Sequence, residues 1–175
     1  SSNYSTATGT FTTASGGAST AMGSGTLASG AVSTAMGLNT TASGGYSTAM
    51  GASTGASGVY STAMGISTTA GGVRSTAMGN ETTASGSSST AMGFGSVASG
   101  GSSVAAGFGA IAAGSASVAL GRAHARFDGS FVWGDGSTTA RQLDAEPNQL
   151  IVRATRGVGS YTNVANTPGV GLPIG

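Results

Sequence analysis

Cysteine is absent from the 175 residues, so neither a disulfide nor a thiolate metal site can hold the fold, and packing with ladder hydrogen bonds must do so. Lysine is absent as well: six arginines face five acids, for a net charge of +1. With no basic run to neutralise a phosphate backbone, nucleic acid is excluded as a partner. There is no run of eighteen apolar residues, no basic start followed by an apolar segment and no lipidation signal, so no membrane span is expected in this segment. A signal peptide or anchor, if the protein has one, is expected outside these residues. Charges are too few for a disordered tail, and 33 glycines are too many for an ordinary mixed domain.

What is present is a repeat. Nine consecutive units of fourteen residues run from Asn3 to Asp128 with the pattern x-x-S-T-A-M-G-x-x-T-x-A-S-G. The third position is Ser in every unit, from Ser5 to Ser117, the fifth is Ala, from Ala7 to Ala119, and the seventh is Gly, from Gly9 to Gly121. All six methionines, Met22, Met36, Met50, Met64, Met78 and Met92, occupy the sixth position.

Two helical heptads would also give a period of fourteen. Two glycines per unit, each costing about 1 kcal/mol against alanine in a helix interior, exclude that reading. Two short strands per unit remain, Ser-Thr-Ala-Met and Thr-x-Ala-Ser, each expected to end at a glycine corner such as Gly9 or Gly16, where φ > 0 or close backbone approach excludes a Cβ. Alternation puts Ser and Ala of the first strand and Thr and Ala of the second on one uniformly small side, which reads as the lumen of a narrow two-sided roll. Coils stacked about 4.8 Å apart would make a rod on the order of 43 Å long.

Thr and Met of the first strand then form a continuous outward stripe. One methionine per coil is more exposed apolar surface than a monomer is expected to carry, which predicts a closed cyclic oligomer, a homotrimer, around Met22, Met36, Met50, Met64, Met78 and Met92. Val104, Val118 and Leu120 extend the stripe where Thr gives way to Val and Met to Ala or Leu. The second, eighth and ninth positions vary and are expected around the turns as the outward surface. Among residues 1 to 114 only Arg74 and Glu81 are charged. Tyr46 and Tyr60, one coil apart, with Arg74 and Glu81, are the candidate ligand surface for a host protein or glycan.

Residues 129–175 differ: they hold the one Trp, all three Pro and most of the charge. The expected division is a β-roll head over 1–128 and a small C-terminal β cap or connector over 129–175. Strands are expected at Ser130–Trp133, Gln149–Ala154 and Val158–Val164, with turns at Asp135-Gly136, Pro147-Asn148 and Arg156-Gly157. With about 45 residues the cap is expected to depend on the oligomer for its core.

The Ser-Val-Ala-x-Gly units at Ser103 and Ser117, and the Ser-Thr-Ala-Met-Gly units upstream, resemble the head repeat of YadA-like trimeric autotransporter adhesins. The resemblance covers Asn3 to about His124 and implies an all-β fold, a trimer of left-handed parallel β-rolls. Where those adhesins pass into a neck and stalk, the stretches Asp128–Asp135, Asn148–Ala154 and Gly157–Asn163 look like the segment preceding a self-cleaving chaperone domain in bacterial and phage tail-fibre-like proteins. The absence of Lys rules out a Ser-Lys cleavage dyad within these residues. Gly175 reads as a maturation product or a boundary.

No catalytic residue, metal site or cofactor is called. His124, the one histidine, reads as occupying the repeat-threonine position rather than belonging to a Ser-His-Asp triad. Asp128, Asp135, Asp144 and Glu146 lack the spacing of a calcium loop, and are expected to pair with Arg122, Arg126, Arg153 or Arg156 across subunits. Ice binding by the threonine ladders is a minor option, because the ladder from Thr12 to Thr82 faces the lumen. The expected function is a non-enzymatic extracellular fibre or adhesin head at a cell surface or virion appendage. The alternatives are a phage-type tail fibre for receptor binding and a filament subunit stacking end to end.

Overall fold

The computed structural model describes residues 4–137 and 139–155. Among them every regular element is a strand, and all strands pair in parallel into two sheets. The eleven-stranded sheet is built from the long strand of each coil, from Thr6–Thr10 and Thr20–Ser24 through to Phe131–Gly134 and Leu150–Arg153. The ten-stranded sheet takes the short ones, from Thr13–Ala14 to Gln142–Leu143. Identical residues stack: Thr34, Ala35, Met36 and Gly37 lie against Thr48, Ala49, Met50 and Gly51. The chain is thus an all-β parallel solenoid with about fourteen residues per coil, as the period predicts.

The lumen is as narrow as expected. Alanines of both strands, Ala35 and Ala42 for example, meet in its centre fully buried, with Ser33 and Thr40 buried at its two corners. Ser19, Ser89 and Ser117 donate their hydroxyls to the carbonyls of Gly16, Gly86 and Gly114. The hydroxyls of Thr26, Thr40, Thr54, Thr68 and Thr82 have no partner. A buried hydroxyl without a bond is a cost that the repeated packing carries.

Close backbone approach excludes a Cβ at the seventh- and fourteenth-position glycines, as expected, but the seventh lies inside a strand and not at a corner. Gly37 lies inside the strand Thr34–Leu38, and a Cβ there would stand 2.0 Å from the carbonyl oxygen of Gly51. Gly44 has ordinary φ but the same problem, with a Cβ 2.1 Å from the oxygen of Gly58. Both glycines exist because successive coils touch through backbone at those points.

The turning residues occupy the second and ninth positions, which are left-handed: Val32, Tyr46, Tyr60 and Arg74 on one edge, Asn39, Ser67 and Glu81 on the other, with φ between 52° and 60°. The reason is hydrogen bonding. Strand N–H groups donate forward to the next coil, as Thr34 N–H does to Ser47, whereas the corner N–H of Val32 donates back to Gly17 and that of Asn39 back to Ser24. Reversing the N–H direction at a corner requires the left-handed turn, and it leaves neither side of the coil unbonded.

The repeat continues past Asp128 in modified form. The ninth coil is one residue short: Val104 pairs with Val118 fourteen residues on, but Ile111 pairs with His124. Gly121, at φ 71°, takes the turn in place of the missing corner residue. His124 therefore stands at the outward variable position, and Ala123, fully buried, occupies the place of the repeat threonine. The tenth coil is longer, since His124 pairs with Leu143.

The strands expected at Ser130–Trp133 and Gln149–Ala154 are Phe131–Gly134 and Leu150–Arg153, stacked as further rungs of the long-strand sheet. The strand expected at Val158–Val164 and the turn at Arg156-Gly157 lie outside the described residues.

Candidate functional site

Four surfaces follow from this geometry. The first is the outward face of the long-strand sheet, where alternation presents Thr and Met side by side. Met22 is 41% exposed and Met78 36%, so more than a third of each residue's surface faces solvent. Val104, Val118 and Leu120 sit on the same face in half-buried positions. Sequence reasoning stopped the stripe there, but register carries it on: Phe131 lies against Val118, Trp133 against Leu120, and Leu150 and Val152 follow them. The signal was present in the alternation of Phe131-Val132-Trp133, obscured by the shortened ninth coil and lengthened tenth.

The second surface is the edge carrying Tyr46 and Tyr60. Their rings stack at 5.0 Å with 13° between planes, so the faces turned to each other are covered and the ring edges project to solvent. Val32 and Arg74 flank them on the same edge, with Arg74 Nε donating to Ser88 Oγ at 3.4 Å. Glu81, grouped with these residues by sequence, lies at the ninth position of its coil and hence on the opposite edge.

That opposite edge is the third surface. Phe94 and Phe108 stack at 5.1 Å, and the Arg122 guanidinium lies over the Phe108 ring at 5.0 Å. The three stand one coil apart at equivalent positions, a column that the variable-position reading contained but did not assemble.

The charged end is the fourth. Two ion pairs close within one chain: Arg126 to Asp144 at 3.5 Å and Arg153 to Asp135 at 3.2 Å. Asp144 takes the place of a lumen alanine. Its carboxylate accepts the N–H groups of Arg126 at 2.8 Å and Phe127 at 2.9 Å, which in the regular coils go to the carbonyl of the next coil's alanine. Burial opposes its ionisation, but these N–H bonds outweigh it and hold the group below the usual carboxylate range. Hydrogen bonds from the Ser137 and Thr155 side chains and the Thr155 N–H likewise hold Asp135 low. Burial, with Arg126 and Arg141 nearby, pushes the His124 imidazole below its ordinary value.

Among the described residues no group of His, Asp and Glu could hold a metal ion, and no helix is long and apolar enough to cross a membrane. The arrangement presents surfaces and ladders.

The family model for the YadA head domain repeat, which holds two repeat copies, matches residues 1–26, 28–54, 56–82, 70–96, 84–110 and 98–123. The matched stretches end at residue 123, so the segment likened to tail-fibre proteins lies outside them. No curated protein matches the chain.

Proposed function

Because the chain belongs to the YadA head-repeat family, we propose that it is a non-enzymatic, extracellular adhesin head that works as a homotrimer. The observation that carries the reading is the outward Thr–Met face. Met22, Met36, Met50, Met64, Met78 and Met92 stack in register along one side, and Val104, Val118 and Leu120 continue them. A stripe of thioethers and branched side chains on a rod with almost no charge is a surface to be covered, and a closed ring of three copies covers it on every subunit equally. Attachment then falls to the edges, where Tyr46, Tyr60 and Arg74 on one side and Glu81 on the other are presented outward. The constant residues form the scaffold and the variable ones meet the host protein or glycan.

Sedimentation equilibrium of the purified chain tests the assembly. A discrete trimer is expected, and the pair Met50→Asp with Met64→Asp should shift it to monomer by burying two carboxylates against an apolar neighbour. A wild-type protein that runs as a monomer overturns the trimer. Loss of cell-surface attachment in a Tyr46→Ala, Tyr60→Ala variant that remains trimeric would assign adhesion to that edge.

A further inference from the structure

At one edge of the rod the ninth coil is one residue short, and two arginines stand there. Ala123 pairs with Gln142, and Gln142 N–H donates to the Arg122 carbonyl at 2.9 Å, so Arg122 and Arg141 stand side by side on successive coils. Arg141 reaches back past the ninth coil, which has no corner residue there, and donates from Nε to the Gly109 carbonyl at 2.8 Å. Arg122 lies over the Phe108 ring and donates from one terminal nitrogen to the Thr139 carbonyl at 3.0 Å. Its Nε is buried and has no acceptor.

Among the described residues neither arginine is paired with a carboxylate. The sequence contains five acids, Glu81, Asp128, Asp135, Asp144 and Glu146. Asp144 is held by Arg126 and two backbone N–H groups, and Asp135 by Arg153, Ser137 and Thr155. Asp128 accepts from the Ser115 N–H on the other edge, where the Glu146 carbonyl also receives the Ser130 hydroxyl. Glu81 is three coils from Arg122 along the stack, about 14 Å at the usual strand spacing. No acid follows Glu146. Two positive charges side by side repel one another, and among the described residues no carboxylate is paired with either.

From this we infer that Arg122 and Arg141 form a binding site for an oxyanion, the sulfate or carboxylate of an acidic saccharide. The planar forks of two adjacent guanidinium groups, each anchored by one bond to a backbone carbonyl, present their remaining N–H groups to a single polyoxygen group. A saccharide fits better than an acidic peptide. The strand Ala123–Ala125 is paired on both sides, so there is no free edge to which a peptide strand could add. The site stands independently of the trimeric adhesin reading, since all its residues come from one chain.

The test is isothermal titration of the full chain with sodium sulfate, a heparin-derived hexasaccharide and poly-glutamate, each at constant ionic strength. Sulfate and hexasaccharide should bind, the hexasaccharide more tightly. Arg122→Gln and Arg141→Gln should each weaken the hexasaccharide about tenfold, and the double variant should abolish binding. Thermal unfolding of each variant within a few degrees of wild type shows that the roll is intact; if Arg122→Gln unfolds, the conservative Arg122→Lys, which keeps the charge and loses the fork, should still bind more weakly. Unchanged hexasaccharide affinity in the double variant, or absence of sulfate and hexasaccharide binding in the wild type, overturns the site. Poly-glutamate binding as tightly as the hexasaccharide overturns the saccharide assignment.

Discussion

Coils two to eight and the two coils after Asp128 perform the same winding with opposite means. In the regular coils each rung is held by copies of itself: Ala on Ala, Gly on Gly, Thr on Thr, with no ion pair and several lumen hydroxyls left unbonded. In the terminal coils Val132 stands where Ala119 stood, Asp144 replaces another lumen alanine, and charged side chains supply bonds that backbone carbonyls supply elsewhere. Repetition makes small side chains sufficient, because every neighbour is shaped by the same sequence. Once the period breaks, each rung needs partners of its own.

The largest expected effect breaks the regular half. Gly37→Ala puts a Cβ 2.0 Å from the Gly51 carbonyl oxygen at φ 125°, and backbone cannot retreat without parting two coils. A loss of about 4 kcal/mol or more, or failure to fold, is expected. Gly45→Ala is the control, since a Cβ there meets nothing within 4 Å; it should unfold within about 1 kcal/mol of wild type in urea. Equal losses in the two variants would show that coil contact is not what excludes a side chain. Ala63→Leu should come next, at about 3 kcal/mol, by overfilling a fully buried lumen position.

Why the regular half was legible and the terminal half less so follows from the same contrast. A fourteen-residue period with Ser, Ala and Gly fixed dictates two strands, a small lumen and an outward Met face, because alternation leaves no other assignment of Ala35 and Met36. The corners were not legible. Val32, Tyr46 and Glu81 are poor residues for left-handed backbone, so composition pointed to the glycines, and only the direction of the corner N–H bonds identifies the turning positions. Deleting one residue after Gly121 shifts His124 to the outward face, and no local signal marks a deletion of that kind. Of the candidate surfaces, Tyr46 with Tyr60 could be read from spacing. The Phe94, Phe108 and Arg122 column lies in the same fourteen-residue spacing, whereas the meeting of Arg122 with Arg141 depends on the shortened ninth and lengthened tenth coils.

Acid should separate the two regions. Asp144 and Asp135 both titrate below the usual carboxylate range in the folded chain, so the stability they contribute is complete above the unfolded carboxylate value and is lost as pH falls through the lowered folded values. Between pH 7 and about pH 2 the terminal coils should open while the regular coils, whose only charges are Arg74 and Glu81, stay closed. Hydrogen exchange, corrected for intrinsic rates, should show protection lost at Arg126 and Phe127 and kept at Ala49. Asp144→Ala should reproduce this opening at neutral pH, at a local cost of about 2 kcal/mol. Simultaneous loss of protection along the whole rod would mean that the two regions unfold as one.

The smallest effect concerns the corners and runs toward stability. Val32 is held at φ 53° and is 47% exposed, so its β-branched side chain contributes little burial in return for a left-handed backbone that Asn tolerates far better. Asn39 and Asn148 already occupy such positions. Val32→Asn keeps the N–H that donates to Gly17 at 2.7 Å and should raise stability by about 1 kcal/mol, read as a higher midpoint in urea with unchanged slope. Tyr46→Asn at the equivalent corner should gain less, because it also gives up the stack on Tyr60. If Val32→Asn destabilises the chain, the Val32 side chain is packed against something beyond its own coil, and a neighbouring subunit covering that edge is the direct explanation.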